Sequence, residues 1–262
     1  MLVRVRTVGH LKVTLLLLMQ RHLLVLRYAA LMIYTASPCS CLARGKILGG
    51  NLLGIVFTGG ESPSSSVIRN LLEGKEIFTV AADSGLITAE EAGIMPAFVT
   101  GDMDSLDDQS RLAAFPPECV IRYPCDKDYT DTELAFSLAM EKGCDDIWLI
   151  GGGGGRIDHL FAIRSLFERE RFPRRWITGA EDIYCIDSSP GHNEMSLKLE
   201  KGAVVSVFPL GAGQWKASSK GLKWQLDGLS WDRGFFGLSN VALDGNFSIK
   251  AEAGRFMVIT PL

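Results

Sequence analysis

A chain of 262 residues, 47% hydrophobic and 22% charged with 10 Pro and 28 Gly, has a globular composition. That excludes disordered, collagenous and coiled-coil classes and leaves room for one large domain or two smaller ones. The 27 basic and 30 acidic residues give a net charge of −3, so there is no overall positive excess with which to grip nucleic acid.

The charge is unevenly spread. Before Glu61 there is no acid and there are seven bases (Arg4, Arg6, Lys12, Arg21, Arg27, Arg44 and Lys46), so the remainder stands at −10. A body this acidic needs a bound cation if it is to handle polyphosphate. Residues 1–50 read as an N-terminal extension. Leu15 to Leu26 is apolar but broken by Gln20, Arg21 and His22, and Tyr28 to Ala43 carries Thr35, Ser37, Pro38 and Ser40. Neither supplies the roughly 20 residues of a spanning helix, and no stable membrane span is expected. The basic start and the small residues Ala36, Ser37 and Ala43 imitate a secretory signal, but arginines break its apolar segment. A non-native or dispensable extension, with Met19 and Met32 as internal start candidates, is preferred over a targeting peptide or membrane-surface helix. The six cysteines (39, 41, 119, 125, 144 and 185) form no CxxC pair. They read as buried free thiols in a reducing, cytoplasmic setting.

From Gly54 onward short apolar runs alternate with helical stretches. Strands are expected at Ile55 to Thr58, Ile77 to Ala82, Ala97 to Thr100, Cys119 to Tyr123, Ile147 to Ile150 and Trp176 to Thr178. Helices are expected at Val67 to Leu72, Leu86 to Gly93, Asp107 to Phe115, Thr132 to Lys142 and Leu160 to Glu170. This βαβ order predicts an α/β domain with a parallel, helix-covered sheet over residues 51–187. After Asp187 helical periodicity stops. Short runs at Ala203 to Phe208, Trp215 to Ala217, Phe247 to Ala251 and Phe256 to Thr260 predict an all-β sandwich or small barrel over 188–262. Ser188-Ser189-Pro190-Gly191 is the expected boundary.

In an open α/β sheet ligands bind beyond the carboxyl ends of the strands. Here those ends carry acids. The second strand leads into Asp83-Ser84-Gly85, and the third into Gly101-Asp102-Met103-Asp104-Ser105. Alternate residues of an extended segment point the same way, so Asp102 and Asp104 are expected to converge on a hard cation such as Mg²⁺. A DxD pair also occurs simply as a turn and helix cap. The fourth strand leads into Asp126-Lys127-Asp128-Tyr129-Thr130-Asp131-Thr132-Glu133. Thr130 and Glu133 fit a capping box, which leaves Lys127 and Asp128 to metal or polyphosphate contact. The fifth strand ends in Gly151-Gly152-Gly153-Gly154-Gly155-Arg156-Ile157-Asp158-His159. Such a glycine run is expected to bring backbone amides close to phosphate, with Arg156 as a planar fork. It is neither a Walker A loop nor a GxGxxG after a first strand. His159, beside Asp158 at a helix start, reads first as a structural hydrogen-bonding partner and second as a proton shuttle.

Taken in order, Asp83-Ser84-Gly85, Gly101-Asp102-Met103-Asp104-Ser105, Asp128-Tyr129-Thr130-Asp131 and Gly154-Gly155-Arg156-Ile157-Asp158-His159 resemble the motifs of the thiamine pyrophosphokinase family. Lys220-Gly221-Leu222-Lys223-Trp224 and Gly237-Leu238-Ser239-Asn240 are similar to its thiamine-side motifs, and the resemblance runs from about Leu53 to Ile259. It implies ATP-dependent transfer of a pyrophosphoryl group to the hydroxyethyl oxygen of thiamine, giving thiamine diphosphate and AMP. It also implies a Rossmann-like catalytic domain joined to a β-sandwich. The homodimer it implies holds thiamine between the catalytic face of one subunit and the second domain of its partner.

Carried over by residue, the resemblance makes Asp102, Asp104, Asp131 and Arg156 the catalytic set. Asp102, Asp104 and Asp131 would bind Mg²⁺, and Asp131 is also the candidate acceptor of the alcohol proton. Asp83, Asp128, Thr130, Arg156, Asp158 and His159 would make up the ATP side. Trp224 would stack on the thiamine pyrimidine, with Ser239 and Asn240 lining that pocket. One departure is Ile163, where family members commonly carry Asn. The competing expectations are a pyrophosphokinase acting on another alcohol, such as a hydroxymethylpterin, and a non-catalytic nucleotide or thiamine sensor.

Overall fold

Aliphatic and β-branched runs punctuated by Gly, Ser and Asp become strands, and the amphipathic stretches between them become helices. A computed structural model describes residues 52–262. The readings made on residues 1–50, including Met19, Met32, Cys39 and Cys41, lie outside the described residues.

The first part of the fold is β1 (Leu52–Thr58), α1 (Ser65–Leu72), β2 (Ile77–Ala82), α2 (Gly85–Glu91), β3 (Phe98–Gly101), β4 (Val120–Arg122), α3 (Asp131–Glu141), β5 (Cys144–Gly151), α4 (Ile157–Leu166) and β6 (Arg175–Ile177). Their order in the sheet is β4-β3-β2-β1-β5-β6, all parallel. The strands advance outward from β1 to β4, and the chain then returns to lay β5 on the other side of β1. That reversal opens a crevice at the carboxyl ends of β1 and β5. Both sheet faces are covered. Ile68, Leu72, Leu86 and Ala89, from α1 and α2, pack with Ile55, Phe57 and Val99. On the other face Phe136, Ala139, Ile163 and Leu166, from α3 and α4, pack with Val56, Val80 and Leu149. Burial on both faces explains why these strands read as unbroken apolar runs.

The second part comprises β7 (Glu181–Asp187), β8 (Glu194–Lys198), β9 (Val204–Leu210), β10 (Lys216–Lys220), β11 (Gly237–Val241), β12 (Asn246–Ala253) and β13 (Arg255–Pro261). β7 pairs antiparallel with both β6 and β13, so the parallel sheet continues through the expected 187/188 boundary into β13, β9 and β11. A separate sheet, β10-β12-β8, closes over it. Val205, Val207, Phe256 and Val258 from one sheet meet Ala217, Phe247, Ile249 and Ala251 from the other. This is a two-sheet β domain sharing one sheet with an α/β domain.

Three local expectations need correction. Asp107 to Phe115 is not an α-helix. A 3₁₀ segment runs from Gln109–Ala114, started by the Asp108 carboxylate accepting the Ser110 N–H and stopped before Pro116-Pro117. The helix expected at Leu160 to Glu170 begins and ends earlier, at Ile157–Leu166; the Arg255 guanidinium takes up the Phe167 and Arg169 carbonyls beyond its end. Cys125 is exposed, whereas Cys119, Cys144 and Cys185 are buried as expected.

Candidate active site

Tight backbone approach at the strand ends builds the site. Gly101 closes β3 at φ +145, and a Cβ there would stand 2.8 Å from Asp83 Oδ1 and 3.1 Å from Asp131 Oδ1. Only glycine lets those two carboxylates close over the end of β3. Among the described residues three non-glycine residues hold positive φ: Asp83 (+50), Met103 (+65) and Ser239 (+58), all within motifs picked out from the sequence. Asp83 is secured in that conformation on both sides. Its N–H donates to the Thr100 carbonyl, and its Oδ1 accepts the Met103 N–H at 2.9 Å.

Asp102 and Asp104 do not lie on extended backbone. The chain turns at Met103, and Asp102 Oδ1 accepts the Asp104 N–H at 3.1 Å, an Asx-type turn that folds the second acid back toward the first. Two groups of possible metal ligands result, each with its ligand atoms within 4.8 Å of one another: Asp83, Asp102 and Asp131, and Asp102, Asp104 and Cys125. Asp102 is the acid common to both. Asp83, assigned to the nucleotide side from sequence, stands in the acidic cluster itself. Asp128, Arg156, Asp158 and His159 are all exposed, and neither Asp128 nor Asp158 belongs to either group.

The electrostatics follow from this crowding. Burial pushes the Asp83 carboxyl up to about 6, aided by the charges of Asp131 and Asp102. Asp102 is held down at about 2, first by the Asp104 N–H and then by Lys127. Asp104 is raised by sharing a hydrogen bond and charge with Asp102. The Lys127 ammonium lies 3.0 Å from Asp102 Oδ2 and 3.2 Å from Asp131 Oδ1, with only 12% of its side chain exposed. Asp131 Oδ1 is buried. Three carboxylates with ligand oxygens within 4.8 Å of one another, balanced by a single ammonium, fit a hard divalent cation such as Mg²⁺.

α3 begins beside this cluster. Thr130 is its N-cap, and Thr130 and Glu133 exchange the two hydrogen bonds of a capping box as expected. Thr58 at the end of β1 hydrogen-bonds Thr132 at 2.6 Å, tying the helix to the crevice. The glycine run divides into two. The Gly152 and Gly153 amides are spent on the Gly59 and Glu61 carbonyls, and the Trp176 indole donates to the Gly151 carbonyl. A Cβ on Gly151 would sit 2.1 Å from the Thr58 carbonyl oxygen, and one on Gly152 would sit 2.5 Å from Ile163 Cδ1. The first three glycines therefore serve close packing rather than phosphate contact. Gly155 meets nothing within 4 Å, so the exposed arc that remains for a ligand is Gly154 to Arg156. Arg156 is 75% exposed and makes a two-point pair with Asp158, which also accepts the His159 N–H. Ile163, where the family commonly has Asn, is buried against the glycine run.

The residues expected on the thiamine side stand elsewhere. Trp224 is 55% exposed, with the Lys223 ammonium 4.4 Å from its ring centroid. Asn240 on β11 is buried, and its side-chain amide grips the Trp224 backbone: Oδ1 accepts the Trp224 N–H at 3.1 Å and Nδ2 donates to the Trp224 carbonyl at 2.6 Å. Asn240 thus positions Trp224. Ser239 is exposed at positive φ, its N–H donating to Ser206 Oγ. In the sheet order six strands separate β11 from β2, the strand that leads to Asp83. At about 4.8 Å per strand, the two sets are on the order of 30 Å apart within one chain.

Known proteins match both parts of this chain. Residues 69–175 match the family described as "Thiamin pyrophosphokinase, catalytic domain", and residues 192–256 match "Thiamin pyrophosphokinase, vitamin B1 binding domain". The chain is 39% identical over 153 residues to the thiamine pyrophosphokinase of Bacillus subtilis (strain 168), an overlap of 56% of this chain and 70% of the relative. In structure it is similar to the crystal structure of thiamine pyrophosphokinase from Bacillus subtilis (TM-score 0.65, 25% identity, covering 80% of this chain and 98% of that one). It is also similar in fold to a thiamin pyrophosphokinase family protein from Enterococcus faecalis (TM-score 0.62, 21% identity, 80% and 99%). With both halves matched in order and the acidic motifs gathered at one strand-end crevice, the chain belongs to the thiamine pyrophosphokinase family.

Proposed function

We infer that this chain transfers the pyrophosphoryl group of ATP to the hydroxyethyl oxygen of thiamine, releasing thiamine diphosphate and AMP. The observation that carries the reading is the cluster of Asp83, Asp102 and Asp131 beyond the carboxyl ends of β2 and β3, next to the reversal at β1 and β5, in a chain whose two halves both match this family. In this use the parallel half is Rossmann-like, with the nucleotide outside the strand ends where the strand order reverses. Residues 51–187 supply the phosphoryl chemistry and 188–262 the acceptor pocket. The pterin and sensor alternatives are not favoured: a vitamin B1 binding domain matches the second half, and a sensor has no use for so many unneutralised acids.

Asp102, Asp131 and Asp83 would hold Mg²⁺, with Asp104 at the rim. Bound there, the ion would draw charge from the phosphate chain. The other contributions come from the chain. Arg156 has its fork toward solvent at the start of α4, where it can exchange Asp158 for phosphate oxygens. The Gly154 to Arg156 arc offers backbone N–H groups to the same ligand. The buried Oδ1 of Asp131 faces the cluster with the Lys127 ammonium as its charged neighbour, which supports it both as a ligand and as the group facing the alcohol proton. Asp128, Thr130, Asp158 and His159 are exposed and would contribute to the ATP side, and Trp224 presents a face for the planar pyrimidine.

The wide separation of Trp224 from the acids supports a homodimer in which each site takes its acids from one subunit and its Trp224 from the other. ATP as co-substrate fits a cytoplasmic setting. Among the described residues no helix is long and apolar enough to cross a membrane. The test is to incubate the purified protein with ATP, Mg²⁺ and either thiamine or a hydroxymethylpterin, and to separate the nucleotides. AMP and thiamine diphosphate in equal amounts are expected. AMP formed only with the pterin, or no turnover with either, would reject the reading.

A further inference from the structure

Lys127 is the one cation that the ion pairs place inside the acidic cluster, among the described residues. Its position is unusual for a phosphate-binding lysine. The ammonium is largely buried and bridges Asp102 Oδ2 and Asp131 Oδ1, whereas Arg156 and the Gly154 to Arg156 arc are exposed. Both oxygens belong to carboxylates that would ligate the metal. A ligand oxygen lies roughly 2.1 Å from Mg²⁺, so an ion bound by these two carboxylates would stand close beside an ammonium 3.0 and 3.2 Å from the same oxygens, and the two cations would repel at short range.

We propose that Lys127 is a resident counter-cation that holds Asp102 and Asp131 together in the metal-free protein and withdraws when the divalent cation enters. The proposal rests on the metal reading above. Two features support withdrawal. First, the contact with Asp131 Oδ1, at 3.2 Å, is the longer of the two that hold the ammonium, against 3.0 Å to Asp102 Oδ2, so that half of the bridge is the weaker one to break. Second, Lys127 has a four-carbon stem and lies in the segment between β4 and α3 rather than inside a helix or strand, so the head group can move without disturbing the fold.

The consequence is coupling between metal and nucleotide. A metal arriving alone must displace Lys127 from two carboxylates with no phosphate oxygen to receive the ammonium. A metal arriving with a nucleotide supplies phosphate oxygens to receive it. Metal and nucleotide should therefore each tighten the binding of the other, and the coupling should pass through this one side chain.

Mn²⁺ binding followed by electron paramagnetic resonance, on nucleotide-free protein, tests this without reference to turnover. The chains compared are the wild type, Lys127→Met, Lys127→Gln, Lys127→Arg and Asp102→Asn. Lys127→Met and Lys127→Gln should bind Mn²⁺ at least about fivefold more tightly than the wild type, within the range of ordinary coupling effects. Lys127→Arg should stay near the wild type. With chelator present, Lys127→Met should melt below the wild type, because the clustered carboxylates lose their counter-charge, and Mn²⁺ should close that gap. Unchanged or weaker Mn²⁺ binding in both neutral variants, with Asp102→Asn still abolishing it, would overturn the role of Lys127 and leave the metal site standing. Wild-type Mn²⁺ binding by Asp102→Asn would overturn the metal site, and the role of Lys127 with it.

Discussion

The two functional ends of this chain are built by different means. At the parallel end, function comes from backbone geometry. Gly101 and Gly151 permit approaches that any Cβ would block, Asp83 and Met103 are held at positive φ, and three carboxylates are forced within 4.8 Å. At the antiparallel end, the proposed acceptor contact is a single half-exposed ring steadied by a buried amide, Trp224 on Asn240. Strain and like charge are concentrated where phosphate chemistry needs a preorganised, electrostatically demanding site. A flat aromatic acceptor needs only a rigid face. The first end should therefore fail sharply under small changes and the second should degrade gradually.

The largest effect is expected from Asp102, the acid shared by both ligand groups. Asp102→Asn should cut turnover by at least about 100-fold, with far-ultraviolet circular dichroism unchanged, and an Asp102→Asn, Asp104→Asn double variant should be no better. Next is the backbone. Gly151→Ala would place a methyl 2.1 Å from the Thr58 carbonyl oxygen at φ +101. It should cost at least about 1–3 kcal/mol in urea unfolding and lower activity with it. Trp224→Ala should raise the thiamine KM from several-fold to about a hundred-fold while the ATP KM holds, from lost stacking and burial. Asn240→Ala should act in the same direction but less, because it loosens Trp224 without removing it. Gly155→Ala marks the low end. Its surroundings are open, so only the cost of positive φ remains, about 1 kcal/mol, and a larger loss of activity there would mean that the arc contacts the nucleotide more closely than the packing suggests.

Much of the parallel end was legible from residues alone. Strands buried on both faces are continuous apolar runs, and acids at their ends stand out because nothing in packing calls for them. The capping box at Thr130 and Glu133 was legible for the same reason: its pattern is local. What escaped was non-local. The glycine run looked like a phosphate cradle, yet Gly151 to Gly153 are fitted against Thr58, Ile163 and Thr178, partners far off in sequence. Asp83 and Asp102 read as acids on consecutive strand ends, but that Asp83 comes within ligand distance of Asp102 and Asp131 depends on the pairing of β2 with β3. β8 and β11, with sequences EMSLK and GLSNV, are too polar or too turn-like to read as strands, and β7 hides charges that pair across the sheet, as Asp182 does with Arg175. Asn240 looked like a pocket residue because a buried amide and a ligand-binding amide look alike until their partners are known.

The gap between the two ends is the point on which the account turns. Trp224 and the acids are on the order of 30 Å apart along one sheet, so a single chain should not complete a site alone. The direct measurement mixes inactive Asp102→Asn protein with impaired Trp224→Ala protein, confirms subunit exchange by mass spectrometry, and follows AMP release at low thiamine. Heterodimers would contain one site with both intact halves, so activity should rise above the sum of the separate proteins, toward a quarter or more of the wild-type rate by random pairing. Full exchange with no rise would place both halves of each site in one chain and contradict the shared-site account.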